Sequence, residues 1–338
     1  MIYFDNAATT GHKPQSVINA MHYALKNLSA NPGRSGHRLS QDAAMTVYNA
    51  RKKVAEYFGA SGLENVVFTL NCTQSINFVL KGVLNKEDHI IVSDLEHNAV
   101  MRPIRAMGIN YTKAEVSLYD DKITVENFKK AIRKNTKMIF CTAASNVIGK
   151  ILPIKEIGNL CKENGILFGV DAAQGAGVID INMKEMHIDY LCIAPHKGLY
   201  CPMGIGILIA EKAIKHTIIE GGTGTNSLNM IQPDVLPEML ESGTINLPAI
   251  ATISSGIDFI KTRQKNIFNY EKSLVIHLYN EAKMRNIIFY TNPYDDNYAP
   301  VLSFNIKDIP SDETTKRLND MGFALRAGLH CAPAAHEK

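Results

Sequence analysis

Two apolar runs decide the fold of this chain: Ile166-Leu167-Phe168-Gly169-Val170-Asp171 and Tyr190-Leu191-Cys192-Ile193-Ala194-Pro195-His196-Lys197. Each run has the length and the apolar content of a buried strand. The first ends directly in Asp171, and the second leads through a short turn to Lys197. Because the carboxyl ends of parallel strands meet at one edge of a sheet, we predict that these two side chains face the same crevice.

The chain around these runs repeats the same kind of pattern. Helical spacing of apolar residues alternates with short apolar runs from about residue 41 to residue 210. The other runs predicted as strands occupy positions 66–69, 89–93, 137–142 and 204–210. This alternation favours a mainly parallel sheet covered by helices on both faces. We therefore predict an α/β fold with a large domain over residues 1–250.

The pattern changes after residue 220, where loops at 220–226 and 241–246 lead into a helical segment at 248–262. The remaining chain is predicted to form helices at 271–284 and 311–321 and strands at 287–291 and 301–306. Such a mixture indicates a small α+β domain over residues 251–338. The N-terminal segment, about residues 1–15, can join this small domain.

The composition limits the classes of function. A chain of 338 residues with 46% hydrophobic and 20% charged residues can bury a sizeable core. Its net charge of +3 is too small to indicate binding to nucleic acid or to an anionic membrane. The first residues lack the pattern of a signal peptide, and no apolar run approaches the roughly 20 residues that span a bilayer. We expect a cytoplasmic protein.

The cysteines show neither a CxxC pair nor a metal-like spacing with histidine, so no metal site is predicted. Three of them, Cys141, Cys161 and Cys192, lie in apolar runs and are predicted to be buried. Cys331 lies instead in a stretch that contains glycine, histidine and proline, where we expect an exposed side chain.

Asp171 and Lys197 together indicate a particular chemistry. A lysine amine can form a Schiff base with pyridoxal phosphate, and a carboxylate can keep the pyridine nitrogen protonated, so that the ring accepts electrons. Each residue alone also has an ordinary interpretation, in which Asp171 caps a turn and Lys197 is a surface lysine after a strand.

Eight short stretches together resemble those of a known family. They are Phe4-Asp5-Asn6-Ala7-Ala8-Thr9-Thr10, Asn31-Pro32, Leu95-Glu96-His97-Asn98, Ser145-Asn146-Val147-Ile148-Gly149, Val170-Asp171-Ala172-Ala173-Gln174, His196-Lys197-Gly198, Gly243-Thr244 and Arg326-Ala327-Gly328-Leu329-His330-Cys331-Ala332-Pro333. The chain resembles the class V aminotransferase-like enzymes, specifically their cysteine desulfurase and selenocysteine lyase branch. The resemblance implies a fold-type I pyridoxal phosphate enzyme with a mainly parallel seven-stranded sheet.

The resemblance also implies roles for single residues. Lys197 would hold pyridoxal phosphate and then act as the base that moves protons on the substrate. Asp171 would pair with the pyridinium nitrogen, and Gln174 would hydrogen-bond the ring oxygen. His97 would stack on the ring, although alone it would be interpreted as a structural histidine. Asn146 would approach the cofactor or the substrate.

The cofactor phosphate requires donors, which helix N-termini supply. Thr73 and Gln74 open the helix after the run at 66–69, and His196 can add another donor. Thr244 resembles a threonine that reaches the phosphate from a partner subunit, which implies a homodimer. The ordinary interpretations are a helix cap for Thr73 and a turn residue for Thr244.

Cys331 distinguishes this branch from ordinary transaminases. In the family, a thiolate on a C-terminal loop attacks the sulfur of bound cysteine, which leaves a persulfide on the enzyme and releases alanine. His330 and Arg326 could lower the pKa of the thiol, and Arg326 could instead bind the substrate carboxylate. The compact form of this stretch resembles the group whose persulfide passes to a dedicated acceptor protein. The ordinary interpretation of Cys331 is a spectator thiol.

The chain departs from the family pattern in two places. Ala194 stands where relatives carry serine or threonine, which predicts weaker retention of the cofactor. The chain also ends at Lys338, seven residues past Cys331, whereas relatives continue through a strand and a helix that carry the arginine for the substrate carboxylate. We expect a truncated small domain with an exposed sheet edge, in which either Arg326 takes over or turnover is poor.

Three other functions stay open at this point. A selenocysteine lyase uses the same cofactor and needs less help from the cysteine. Another class V transaminase or lyase would act on a different amino acid. A degenerate homologue would bind the cofactor without turnover. A Rossmann dehydrogenase is disfavoured because no G-x-G-x-x-G follows the first strand of the sheet.

Overall fold

A seven-stranded sheet lies at the centre of the computed structural model, which describes residues 1–33, 35–224 and 228–337. The described strands are β1 (Ile2–Tyr3), β2 (Val66–Thr69), β3 (His89–Ser93), β4 (Asn110–Ala114), β5 (Thr136–Thr142), β6 (Leu167–Asp171), β7 (Tyr190–Ile193), β8 (Gly206–Ala210), β9 (Ile287–Phe289), β10 (Phe304–Ile306) and β11 (Phe323–Ala324). The described α-helices are α1 (Gln15–Asn27), α2 (Arg38–Phe58), α3 (Cys72–Val83), α4 (Asn98–Met107), α5 (Asp121–Lys130), α6 (Ile154–Asn164), α7 (Leu247–Lys261), α8 (Gln264–Ala282) and α9 (Ser311–Asp320). Part of the predicted loop at 220–226, and the terminal Lys338, lie outside the described residues.

The central sheet is mainly parallel, with the strand order β2-β8-β7-β6-β5-β3-β4. Strand β8 runs antiparallel to both of its neighbours, and the other neighbouring pairs in the sheet are parallel. The predicted α/β fold with a mainly parallel seven-stranded sheet is therefore confirmed.

The core occupies both faces of this sheet. Side chains that alternate along a strand go to opposite faces: in β5, Ile139 packs into one apolar cluster and Phe140 into the other. Strands that are buried on both faces read as continuous apolar runs, which explains why the sequence pattern located them. Helices α1 and α2 pack with α7 over one part of the fold.

Two smaller sheets form near the chain ends. Strands β9 and β10 pair antiparallel, and β1 pairs parallel with β11, so that Ile2 lies opposite Phe323. The first residues of the chain thus lie beside its C-terminal part. The domain boundaries at 1–250 and 251–338 stay a prediction. No helix of the described chain is both long and apolar enough to cross a membrane.

The C-terminal part is connected to the large sheet through the loop after β5. Ala299 donates its N–H to the Gly149 carbonyl over 2.7 Å, and the Thr291 hydroxyl donates to the Ile148 carbonyl over 3.0 Å. Ile151 donates to the Asn297 carbonyl over 2.8 Å. This loop, residues 143–151, therefore joins the carboxyl edge of the sheet to the region that follows α8.

Candidate active site

Asp171 lies at the carboxyl edge of the sheet, as the last residue of β6. Its side chain is buried, with 4% of its surface exposed. Oδ1 accepts hydrogen bonds from the Ala173 main-chain N–H over 2.9 Å and from the Cys72 thiol over 3.6 Å. These donors fix the carboxylate in one orientation, so it can face a cationic partner at the strand end.

Lys197 lies beside Asp171 because the neighbouring strand β7 leads into the turn that carries it. Its N–H donates to the Ala194 carbonyl over 3.1 Å, and its carbonyl accepts from Tyr200 over 3.0 Å. Burial lowers the pKa of the Lys197 amine, and the Asp171 carboxylate opposes that shift. A lowered pKa increases the fraction of free amine, which is the nucleophilic form. The structure thus brings together the two residues that the sequence paired.

His97 caps the next helix along this edge. Its Nδ1 accepts from the Ala99 N–H over 3.0 Å at the start of α4. Burial lowers the pKa of the imidazole; Asp171 opposes the shift, and Lys197 adds to it. His97 is therefore neutral at physiological pH, with one ring nitrogen engaged by the helix. A neutral, fixed imidazole suits stacking on an aromatic ring.

The N-terminus of α3 opens onto the same edge. The structure makes Asn71 the helix cap, since its side chain accepts from the Gln74 N–H over 2.9 Å. The Gln74 side chain turns back and accepts from the Leu70 N–H over 2.6 Å, so it stabilises the start of the helix. The Thr73 side chain is exposed in the first turn, which contains no acidic residue. Such a terminus can bind an anion through its N–H groups and the Thr73 hydroxyl.

His196 is held by the N-terminal segment. Its carbonyl accepts from the Thr10 N–H over 3.2 Å and from the Lys13 amine over 3.2 Å, and its Nδ1 shares a hydrogen bond with the Thr9 hydroxyl over 3.0 Å. Burial, followed by the charges of Lys197 and Lys13, lowers the pKa of His196 to about 4. The ring is thus neutral, and Nε2 is the nitrogen left to meet a ligand.

The Cys331 stretch lies against the same edge. The Asn98 N–H donates to the Cys331 carbonyl over 2.7 Å, and the Asn146 side-chain amide donates to the His330 carbonyl over 2.8 Å. The Cys331 side chain is exposed, whereas Cys141, Cys161 and Cys192 are buried, and both predictions from the sequence are confirmed. The only exposed thiol among the six cysteines, all of which are described, is therefore placed next to the helix that carries His97.

Arg326 contributes positive charge to this cluster. It adds to the lowering of the His97 and Lys197 pKa values that burial causes. Burial raises the pKa of Asp5, and Arg326, His330 and Lys197 oppose that rise in this order. Arg326 and Asp5 therefore lie within electrostatic range of the lysine.

Gln174 and Thr244 lie differently from the other predicted residues. The Gln174 side-chain amide donates to the Ala7 carbonyl over 2.9 Å, which ties the N-terminal segment to the loop after β6. Thr244 is exposed before α7, and no hydrogen bond among the described residues joins it to the cluster. Their proposed contacts with the cofactor stay predictions.

Several neighbours of this cluster were not predicted from the sequence. Cys72 contacts Asp171, and Lys13 contacts His196. Glu96 is fully buried behind His97, where Oε1 accepts from the Thr142 N–H over 2.9 Å and from the Ser93 hydroxyl. The sequence indicated these residues only by their positions. Asp5 and Glu96 lie inside the family motifs at 4–10 and 95–98, and Cys72 directly precedes Thr73.

The residues at this edge fit pyridoxal phosphate. A buried carboxylate can face the pyridinium nitrogen, a lysine of lowered pKa can bond the aldehyde, and a helix N-terminus without acidic residues can receive the phosphate. The neutral imidazole of His97 lies in the same cluster. Together with the mainly parallel sheet, these groups define an enzyme of the fold-type I transferase class. The chain belongs to the aminotransferase class-V family, whose model matches residues 2–338.

Comparisons with known proteins agree with this assignment. The chain is 31% identical to a probable cysteine desulfurase from Pyrococcus abyssi, over 98% of this chain and 85% of that protein. Its structure is similar to the apo structure of a cysteine desulfurase from Thermococcus onnurineus NA1, with a TM-score of 0.89, 30% identity, and coverage of 99% of this chain and 86% of that one. It is also similar to SspA in complex with cysteine, with a TM-score of 0.75, 26% identity, and coverage of 97% and 89%. The predicted family and its cysteine desulfurase branch are confirmed.

Proposed function

We propose that the chain is a pyridoxal phosphate-dependent cysteine desulfurase, which converts L-cysteine to L-alanine and leaves a persulfide on Cys331. One observation carries the proposal: the exposed Cys331 is hydrogen-bonded through its carbonyl to the first residue of α4, beside His97, at the edge that carries Lys197 and Asp171. An ordinary transaminase needs no thiol at this position. The relatives named cysteine desulfurase support the same reaction.

The residues divide the chemistry among them. Pyridoxal phosphate, when bound, withdraws electrons from the carbon atoms of the substrate. Asp171 supplies the negative charge that stabilises a protonated ring nitrogen, and the Lys197 amine accepts and returns a proton at the substrate carbon. The Cys331 thiolate attacks the substrate sulfur. The carbon–sulfur bond then breaks, its electron pair stays on the carbon, and protonation of that carbon gives alanine.

The positively charged Arg326 is the proposed binding residue for the substrate. Arg326 is proposed to bind the substrate carboxylate, because a guanidinium can donate two parallel hydrogen bonds to it. Asn146, on the loop after β5, is proposed to approach the substrate, since its side chain contacts the His330 carbonyl four residues after Arg326. Arg326 is supported by its electrostatic effect on both Lys197 and His97.

The oligomeric state, the sulfur acceptor and the cellular compartment are parts of the same proposal. We propose a homodimer in which Thr244 reaches the phosphate of the partner subunit, since Thr244 is exposed on its own subunit. We also propose that the persulfide passes to an acceptor protein, because an exposed cysteine is open to a second thiol. Cys331 must remain a free thiol to act, so a reducing compartment such as the cytoplasm suits the reaction.

The proposal is tested by incubating the purified protein with L-cysteine and a reductant and measuring alanine and sulfide. Equal amounts of both are expected, and Cys331→Ser should abolish them while the cofactor absorbance persists. Alanine formation by Cys331→Ser at the unsubstituted rate would overturn the role of Cys331. Turnover confined to selenocysteine would instead make the enzyme a selenocysteine lyase, and amino transfer to a keto acid would make it a transaminase.

A further inference from the structure

The loop that carries Cys331 has a strained backbone. His330 has φ 47° and Cys331 has φ 57°, both in the left-handed region that L side chains rarely adopt. Two consecutive non-glycine residues in this region persist only where surrounding contacts hold them. The contacts of this loop therefore determine where the thiol points.

Several contacts hold the main chain of the loop. The Ala332 side chain is fully buried, and its N–H donates to the Leu329 carbonyl over 2.9 Å. The Asn98 N–H donates to the Cys331 carbonyl over 2.7 Å. The Asn146 side chain donates to the His330 carbonyl over 2.8 Å. Of these groups, only the Asn146 amide is a polar side chain that can be altered without moving the backbone.

Asn146 is itself held firmly. It follows Ser145, whose N–H donates to the Lys150 carbonyl over 2.9 Å and whose hydroxyl accepts from the Val147 N–H over 3.2 Å. Ser145 is buried, with 1% of its surface exposed. The loop after β5 therefore presents the Asn146 amide from a rigid position, on the sheet edge that also carries Asp171.

We propose that Asn146 is a positioning residue for the nucleophile: its amide hydrogen bond to the His330 carbonyl holds the loop in the strained conformation that presents the Cys331 thiol to the substrate. This inference rests on the proposed function for the role of the thiol, but the hydrogen bond and the strain are independent of it. A contact of Asn146 with the cofactor or substrate alone would leave the loop unaffected by its removal.

The test compares hydrogen exchange of the loop amides in variants that lose the donor. Asn146→Asp keeps the shape and places a carboxylate oxygen against the His330 carbonyl, and Asn146→Ala removes the group. Asn164→Asp is the matched control, because Asn164 also donates from Nδ2 to a main-chain carbonyl, that of Leu160, over 2.8 Å, and it ends α6 before the start of β6, at the opposite edge of the sheet from Asp171. All proteins are purified with their cofactor, and peptides that cover residues 328–332 are followed.

In both Asn146 variants, the main-chain amides of residues 328–332 should exchange at least about fivefold faster than in the unsubstituted protein, because a hydrogen bond that holds the strained loop is lost. The control should match the unsubstituted protein. Persulfide formation on Cys331 should slow in the same two variants, while the cofactor absorbance remains. Exchange within about twofold of the unsubstituted protein would overturn the inference, whatever happens to the cofactor. If the unsubstituted protein forms no persulfide, the proposed function fails, and the exchange rates still decide the role of Asn146.

Discussion

The main-chain N–H of Asn98 donates to the carbonyl of Cys331 over 2.7 Å. Asn98 is the first residue of α4 and follows His97, the cap of that helix. Cys331, near the end of the chain, is therefore held beside the imidazole of His97, which follows β3. This contact joins the thiol to the edge of the sheet that carries Asp171 and Lys197, and it makes the separate motifs one site.

Replacement of Asp171 by asparagine should remove the charge and keep the shape. Without a carboxylate, a protonated ring nitrogen loses its stabilising partner, so alanine formation from L-cysteine should fall by ~10²-fold or more. Asp258→Asn is the control, because Asp258 forms an ion pair with Lys53 in which 59% of the Asp258 side chain is exposed. Steady-state rates at saturating cysteine decide the matter, and equal rates for the two variants would contradict the role of Asp171.

Glu96 should make stability depend on pH. Burial raises the pKa of this carboxyl from 4.5 to about 8, so the folded protein holds a proton that the unfolded chain releases. A raised folded-state pKa contributes stability that is fully present below the unfolded pKa and is lost as pH rises through the folded pKa. The unsubstituted protein should therefore lose stability from Glu96 between about pH 4.5 and about pH 8.

Glu96→Gln imitates the protonated carboxyl and removes this dependence. Its Oε1 can still accept from the Thr142 N–H and the Ser93 hydroxyl, as in the unsubstituted protein. At about pH 4.5, urea unfolding should give similar free energies of unfolding for the variant and the unsubstituted protein. At about pH 8, the free energy of unfolding should be higher for the variant. A stability difference that stays constant with pH would show that Glu96 is ionised in the folded state.

The cap of α3 should matter to both stability and cofactor binding. Asn71→Ala removes the acceptor for the Gln74 N–H, which should lower the free energy of unfolding by ~1 kcal/mol. Asp120→Ala removes the equivalent cap of α5, where Asp120 accepts from the Lys122 N–H over 2.8 Å. Both variants should lose similar stability, but only Asn71→Ala should weaken cofactor retention in dialysis. Equal retention would separate the α3 terminus from the phosphate.

Ala194→Ser should strengthen retention of the cofactor. Ala194 is buried in the turn before Lys197, with 4% of its surface exposed, and a serine there adds a hydroxyl donor. A hydrogen bond to a charged phosphate oxygen is strong enough to slow loss of the cofactor by ~10-fold. Occupancy is measured by absorbance during dialysis. Identical loss from both proteins would mean that this turn does not face the phosphate.

The sequence located the sheet and the central pair of the site because both depend on local patterns. Strands such as β5 and β6 contain continuous apolar runs, and Asp171 ends β6. Strand β4 escaped prediction because its sequence, Asn-Tyr-Thr-Lys-Ala, is mostly polar at the edge of the sheet. Helix α4 escaped because Pro103 lies inside it, and an internal proline disfavours a helix.

Contacts between distant parts of the chain could not be predicted from such patterns. Three such features arise only when separate elements meet. Strand β1 pairs with β11, His196 hydrogen-bonds with Thr9 and Thr10, and Glu96 is buried. The same holds for the Asn146 amide, which was predicted to approach the cofactor or the substrate and is bonded to the His330 carbonyl. Periodicity reports which face of an element is buried, and it carries no information on which residues lie across a crevice.

Peptide mass analysis after incubation with L-cysteine and without reductant identifies the cysteine that receives the substrate sulfur. One additional sulfur atom is expected on the peptide that contains Cys331, and none on the peptides that contain the other five cysteines. Treatment with a reductant should remove that sulfur as sulfide. Alanine formation with an unmodified Cys331 peptide, or with the added sulfur on Cys72, would contradict the proposed role of Cys331.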